Sequence, residues 1–245
     1  MIKNIKIIIP SRYKSSRFPG KPLAKLLGKE MIIRVGEICA KVTSRKNIII
    51  ATDDKRILDV CKKYNFLSLI TPKSCLTGTD RVFHASKKYK NNIIINVQGD
   101  EPLIKPKDII KIYNAKKKFK DHVICGYTLS NLKEAKNINT PKVILDKFSN
   151  LIYMSRALIP GTKNKKNIKK IKFLKQVSIY AFNFKELQIF AKSGKKGYLE
   201  SFEDIEILRF LEFGKSVKMI KLNKNSQAVD VKSDVNKVTK ILKLK

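Results

Sequence analysis

Between Ile7 and Leu23 the chain reads IIIPSRYKSSRFPGKPL, and the residue types in this stretch suit phosphate chemistry. Arg12, Lys14, Arg17 and Lys21 alternate there with Ser11, Ser15, Ser16 and Gly20. Small residues let backbone N–H groups approach phosphate oxygens, and the cations neutralise phosphate charge. The spacing is neither the GxxxxGK[ST] of a Walker loop nor the GxGxxG of a dinucleotide fold. On composition alone, a phosphate cradle and a solvated basic loop stand level. A second feature is acidic. Asp100 follows the apolar run Asn92–Val97 through Gln98-Gly99, so its carboxylate projects from the carboxyl end of a buried strand. An oxygen ligand in that place suits Mg²⁺, which takes one or two carboxylates plus phosphate oxygens; the alternative is a cap on a helix or turn.

Such residues need elements to hold them. Strand and helix patterns alternate, as in an α/β fold with a mostly parallel sheet and helices on its faces. Ile5–Ile9 is a continuous apolar run, as a strand buried on both faces should be. The basic loop therefore leaves the carboxyl end of the first strand, where open α/β sheets bind ligands. Met31–Val42 has helical spacing, Asn47–Ala51 reads as a second buried strand, and Thr52-Asp53-Asp54 caps a helix through Tyr64. Phe66–Ile70 reads as a strand, Thr77–Tyr89 as a helix, and Asn92–Val97 as a strand broken at Gln98–Pro102. Ile109–Lys118 is helical and Val123–Leu129 extended. Further strands are expected at Lys142–Leu145, Leu151–Ser155 and Gln176–Phe182. They make an inserted β-rich segment around residues 125–185 that would suit a dimer surface. Tyr198–Phe213 reads as one strong helix stopping at Gly214, followed by strands at Val217–Ile220 and Ala228–Asp230 and a closing helix from Ser233. No internal repeat is visible, so a single domain over residues 1–245 is expected.

The bulk numbers narrow the function classes. Lys and Arg total 54 against 20 Asp and Glu, a net charge of +34 that ordinarily suggests a polyanionic partner. Only eight of the 54 are arginine, however, and the 46 lysines run along the whole chain together with abundant Ile and Asn. Nucleic-acid readers rely on arginine for bidentate contacts, and Lys, Ile and Asn share A/T-rich codons. Genome composition thus accounts for the excess, and no specific nucleic-acid partner is expected, although a basic nucleic-acid-binding protein remains the alternative of another class. Cys39, Cys61, Cys75 and Cys125 lie far apart without a CxxC pair, which argues against structural zinc or a disulfide framework and for a reducing, cytoplasmic compartment. The first apolar run ends at Pro10 and Arg12, too early for a signal peptide, and no apolar stretch reaches the length of a membrane span.

The order of residues carries more than composition does. IPSRYKSSRFPGKPL closely resembles the nucleotide-binding signature of sugar nucleotidyltransferases, IPARxxSxRxPGKPL, in the form found in CMP-Kdo synthetases (3-deoxy-manno-octulosonate cytidylyltransferases). Ile48–Asp53 is similar to that family's IVATD, Leu76–Arg81 (LTGTDR) to SGTDR, and Asn96–Leu103 (NVQGDEPL) to NVQGDEP. Lys142–Asp146 resembles VKVVLD, Tyr153–Pro160 (YMSRALIP) resembles YFSRAxIP, and Ala228–Asp234 (AVDVKSD) resembles GVDTPED. Seven blocks in order over nearly the whole chain are more specific than any one of them.

The resemblance implies a Rossmann-like nucleotidyltransferase fold and attack by a sugar's anomeric hydroxyl on the α-phosphorus of CTP. Pyrophosphate is released, and the CMP-sugar serves lipopolysaccharide synthesis. Pro10, Ser11, Arg12, Arg17 and Lys21 would bind the triphosphate, and Gly78, Thr79 and Arg81 would lie by the cytosine or ribose. Asp100 and Asp230 would hold Mg²⁺, and with Lys21 they are the expected catalytic residues; Asp53 and Glu101 are expected as a cap and a loop residue. A homodimer is implied as well. Neither His84 nor His122 lies in a family motif, which favours metal activation over a histidine base.

The acceptor side departs from the pattern. The family's HxGIYGYR reads Gln176-Val177-Ser178-Ile179-Tyr180-Ala181-Phe182-Asn183, keeping Tyr180 and replacing the histidine by Gln176. LExxExxEQLR becomes the run Leu199–Arg209, keeping Glu206 and replacing the glutamine by Ile207. Gln98, Tyr180, Glu206 and Gln176 are the sugar-site candidates. Glu200, Glu203 and Glu206 would share one helix face, with Phe202, Ile205 and Leu208 in the core and Glu206–Arg209 as an i,i+3 pair. The acceptor is expected to be Kdo or a close relative, such as 8-amino-Kdo. A nine-carbon ulosonic acid is a further alternative, although enzymes for that substrate typically carry PARGGSKxIPxKN in the loop.

Overall fold

Runs of isoleucine build the centre of the molecule. The computed structural model describes residues 2–244 except 16, 91, 224–227 and the side chain of Lys165; Ser16 of the basic loop thus lies outside the described residues. In chain order the elements are β1 (Ile5–Ser11), β2 (Lys25–Leu26), β3 (Lys29–Glu30), α1 (Met31–Ala40), β4 (Ile48–Thr52), α2 (Lys55–Lys63), β5 (Leu67–Ile70), α3 (Gly78–Ser86), β6 (Ile93–Val97) and α4 (Pro106–Lys118). There follow β7 (Val123–Ser130), α5 (Leu132–Ala135), β8 (Lys142–Leu145), β9 (Leu151–Ser155), β10 (Phe173–Phe182), α6 (Phe184–Lys192), α7 (Tyr198–Glu203), α8 (Leu208–Glu212), β11 (Val217–Lys221) and α9 (Lys232–Lys243).

The main sheet runs β5-β4-β1-β6-β10-β7-β11. β5, β4, β1 and β6 are parallel, as are β7 and β11, and β10 lies antiparallel between β6 and β7. This is the mixed, mostly parallel α/β sheet expected, with helices on both faces. Ile7 and Ile9 of β1 pack into the apolar layer under α1 and α4, whereas Ile8 points into the other layer with residues of α3, α6 and α8. Both faces of β1 are therefore dry, which is why its sequence is a run rather than an alternation. β7 and β10 of the β-rich segment belong to the main sheet, and only the β8–β9 hairpin branches from it, through β10.

Three expectations are corrected. The helix read over Tyr198–Phe213 is two helices, α7 and α8, because Asp204 takes a left-handed conformation (φ 49°) and ends the first. The Arg156 guanidinium, from beyond β9, donates to the carbonyls of Glu203 and Asp204, so the break is held by tertiary hydrogen bonds invisible to helical periodicity. Ala228–Asp230 is not a strand: Val229 N–H makes one bond, to the Asp100 carbonyl at 2.9 Å, and the chain then enters α9, whose Asp234 carboxylate accepts from the N–H groups of Asp230 and Val231. Finally, Asp54 rather than Asp53 caps α2, accepting from Arg56 N–H at 2.9 Å.

Candidate active site

The carboxyl ends of β1 and β6 and the adjacent start of β10 surround a cleft of about 550 Å³. Pro10 and Ser11 close β1 at its rim, and Arg12, Arg17 and Lys21 line it from the basic loop. The loop folds back on itself where Gly20 N–H donates to the Tyr13 carbonyl at 3.0 Å, with Gly20 at φ 71°, a region open to glycine. Arg56 stacks on the Tyr13 ring, 3.3 Å from its centroid, and steadies the outer side of the loop. Lys21 opens the following 3₁₀ turn (Lys21–Leu23) and points inward.

Asp100 meets it there: Lys21 Nζ lies 2.6 Å from Asp100 Oδ2. The turn after β6 can reach this point because of Gly99, where a Cβ would stand 3.0 Å from the Pro10 carbonyl oxygen. The bond from Val229 N–H to the Asp100 carbonyl brings Asp230 to the same place from the far end of the chain. Burial pushes the Asp230 carboxyl above its ordinary range, and the negative charge of Asp100 pushes it further. Arg17 bridges the mouth, donating to Asn139 Oδ1 at 2.8 Å and to Asp230 Oδ1 at 3.3 Å. Both carboxylates are thus balanced by cations of the basic loop.

The opposite wall begins at α3. Its N-terminus carries a capping box in which Thr77 and Asp80 exchange hydrogen bonds. Gly78 lines the cleft, and a Cβ there would lie 2.7 Å from the Gln98 amide nitrogen, so glycine lets that amide through. Thr79 is not on the cleft surface: it is 1% exposed and presents its backbone N–H to Glu206 Oε2 at 2.9 Å. Arg81 lines the base of the cleft but is 3% exposed, with its guanidinium on Asp53 at 3.0 Å and on the Thr71 hydroxyl. It acts as a strut joining α3 to the end of β4, and Asp53 is its partner rather than a cap.

The broken helix sends its three glutamates in different directions. Glu200 turns inward to Arg209, Glu203 accepts from the Ser155 hydroxyl and Arg156 N–H, and Glu206 enters the cleft. Ile205 and Ile207 are buried on either side of Glu206, while Phe202 is exposed, contrary to the expected core placement. Glu206 Oε1 accepts from Gln98 Nε2 at 2.7 Å, and burial raises the pKa of its carboxyl. The expected Glu206–Arg209 pair does not form between the side chains. Arg209, 1% exposed, is held by Glu200 at 2.6 Å and Asp80 at 2.9 Å. Tyr180 and Gln176 line the cleft from β10, with Gln176 Nε2 donating to the Tyr180 hydroxyl at 3.1 Å. A bulge in the β10–β7 pairing between Val177 and Tyr180 lets Ser178 N–H turn to Glu101 Oε1 at 3.2 Å. Glu101 is a loop residue, as expected, and its burial makes it a strut between that loop and β10.

Sequence reasoning missed Arg156 and Asn139, which also line the cleft. Arg156 had a signal, its place inside YMSRALIP; Asn139 had none, and the structure places it on the cleft with a bond from Arg17. Among the described residues no three His, Cys, Asp or Glu side chains form a metal cluster. Asp100 and Asp230 by themselves fit the donor set of Mg²⁺, which binds through one or two carboxylates and takes phosphate and water oxygens for the rest.

A cytidylyltransferase family model matches residues 6–234. The chain belongs to the cytidylyltransferase family. Within that family it is 35% identical over 240 residues to the mitochondrial 3-deoxy-manno-octulosonate cytidylyltransferase of Arabidopsis thaliana, covering 96% of this chain and 82% of that one. It is equally 35% identical, over 238 residues, to the 8-amino-3,8-dideoxy-manno-octulosonate cytidylyltransferase of Shewanella halifaxensis, covering 95% and 96%. A solved structure of CMP:2-keto-3-deoxy-manno-octonic acid synthetase complexed with CTP is similar throughout, with a TM-score of 0.89, 30% identity and 99% of both chains covered. The family membership includes the CMP-Kdo synthetase pattern from which the seven sequence blocks come.

Proposed function

We propose that this protein transfers CMP from CTP to the anomeric hydroxyl of Kdo or a close 3-deoxy-ulosonic acid, with Mg²⁺ as its cofactor. The observation that carries the reading is the pairing of Lys21 with Asp100 and of Arg17 with Asp230 in one cleft. Cations placed for a triphosphate and carboxylates placed for a metal share that space. Arg12, Arg17 and Lys21 bind the phosphates, and Gly78 gives the base or ribose a flat backbone wall. Gln98, Glu206, Tyr180 and Gln176 orient the acceptor through its hydroxyls. Its anomeric oxygen forms a bond to the α-phosphorus and loses its proton to solvent, the bond from that phosphorus to the bridging oxygen breaks, and pyrophosphate leaves. Such a transfer needs positioning and charge neutralisation more than a covalent nucleophile. Held by Asp100 and Asp230, Mg²⁺ would polarise the α-phosphate and lower the pKa of the attacking hydroxyl.

The CMP-sugar would enter lipopolysaccharide synthesis from the cytoplasm. No described helix is long and apolar enough to cross a membrane. We assign the same chain to a homodimer, for which the exposed Phe148 and Ile152 of the β8–β9 hairpin offer an apolar surface.

A thermal-shift titration tests the nucleotide reading. Because Lys21 and Arg17 neutralise both carboxylates until phosphates draw them away, Mg²⁺ alone is expected to shift the melting temperature little. CTP with Mg²⁺ at 100 times its Kd adds about 2.7 kcal/mol, a rise of roughly 5–10 °C for a chain of this size. A full shift with Mg²⁺ alone, or none with both, contradicts the assignment.

A further inference from the structure

Glu206 and Arg209, from the segment around the α7–α8 break, both reach across to the start of α3. Glu206 Oε2 accepts from Thr79 N–H at 2.9 Å, and Arg209 Nη1 donates to Asp80 Oδ1 at 2.9 Å. Thr79 is the second residue of α3, so its N–H is one of the donors that a helix leaves without an intrahelical partner. The capping box of α3 satisfies Asp80 N–H through the Thr77 hydroxyl and does not reach Thr79. Glu206, 127 residues away, supplies what the local cap lacks. Its other oxygen holds the Gln98 amide, which packs where a side chain on Gly78 would otherwise sit.

We infer that Glu206 is a positioning residue for the nucleotide as well as an acceptor contact: its carboxylate holds the buried Thr79 N–H and so fixes the adjoining Gly78 backbone, which forms the nucleotide wall of the cleft. This rests on the proposed cytidylyltransferase reading, in which the start of α3 faces the base or ribose. Ile205 and Ile207 are both buried, so the backbone on either side of Glu206 is anchored and the carboxylate can act as a fixed point. Without it, Thr79 N–H loses its partner in a place with little water, and the wall is free to shift.

The inference is tested with the acceptor absent, where a residue that serves only the acceptor has no effect. CTP and UTP, each with Mg²⁺, are titrated calorimetrically into the wild type, Glu206→Gln and Glu206→Ala. The glutamine keeps an oxygen for Thr79 N–H and is expected to bind CTP within about twofold of the wild type, whereas the alanine weakens CTP about tenfold and narrows the preference for CTP over UTP. Should Glu206→Ala not fold, Glu206→Asp takes its place with the same expectation, since it keeps the charge but falls one methylene short of Thr79. A wild type that does not bind CTP overturns the reading of the whole site. A wild type that binds CTP, with an alanine or aspartate variant equal to it in affinity and in CTP-to-UTP preference, overturns this inference alone.

Discussion

Asp100→Asn is expected to lower the rate of CMP transfer by at least about 10³-fold while leaving the melting temperature within about 2 °C of the wild type. The side chain keeps its shape, and one oxygen still faces Lys21, which lies 2.6 Å from the carboxylate in the native protein. What is lost is a negative oxygen facing the space it shares with Asp230. On the proposed function two carboxylates there would hold Mg²⁺, and one carboxylate with an amide would hold it poorly. Steady-state rates of pyrophosphate release, with thermal melts on the same samples, decide the matter. An Asp100→Asn enzyme within tenfold of wild-type turnover would remove Asp100 from the chemistry. A variant that is inactive only because it unfolds would reassign Asp100 to structure.

Arg209→Met carries the largest expected effect on stability. The guanidinium is 1% exposed and neutralises two carboxylates, Asp80 and Glu200, of which Glu200 is also 1% exposed; it also lies over the Phe190 ring at 3.8 Å. Removing one member of such a group strands buried charge, which costs about 3–5 kcal/mol, or roughly 10 °C in melting temperature. Adding Glu200→Gln to Arg209→Met removes one stranded charge, so the double variant is expected to recover part of the loss. Calorimetric melts of the three proteins check this. A single variant that melts within 2 °C of the wild type would mean that the network is not what holds α3, α7 and α8 together.

Much of the scaffold is legible in the sequence because its signals are local. The isoleucine runs at Ile5–Ile9 and Ile48–Ile50 mark strands covered on both faces, and the turn after Val97 is written in Gln98-Gly99-Asp100. The cleft gathers most of the residues named from the loop and from the later blocks, because ends of parallel strands converge on one edge. What escapes is decided by contacts distant in sequence. The spacing of Ile205 and Leu208 continues the helical period of α7, yet Arg156 ends that helix from 47 positions away. Asp204 permits the break, being a residue that tolerates the left-handed region. Thr79 illustrates the limit of carrying a role by position: its backbone N–H, not its exposed surface, is what the site uses.

The departures from the family pattern also take physical form. Gln176 lines the cleft and donates to Tyr180, so an amide stands where an imidazole is expected. Ile207 is 1% exposed and packs in the core cluster beneath β10, so the lost glutamine leaves no gap in the cleft wall. If that end of the cleft takes the acceptor, as proposed, it offers fewer polar groups than the family pattern, and each unmatched hydroxyl or amine of a substrate would cost about 1–3 kcal/mol there.

The most direct measurement is pyrophosphate release from CTP and Mg²⁺ across a panel of Kdo, 8-amino-Kdo and neuraminic acid. Turnover is expected with one of the two eight-carbon acids, at a rate well above that with neuraminic acid, and with none of them when the metal is chelated. No release with any of the three acids, from folded enzyme that binds CTP, would contradict the proposed function.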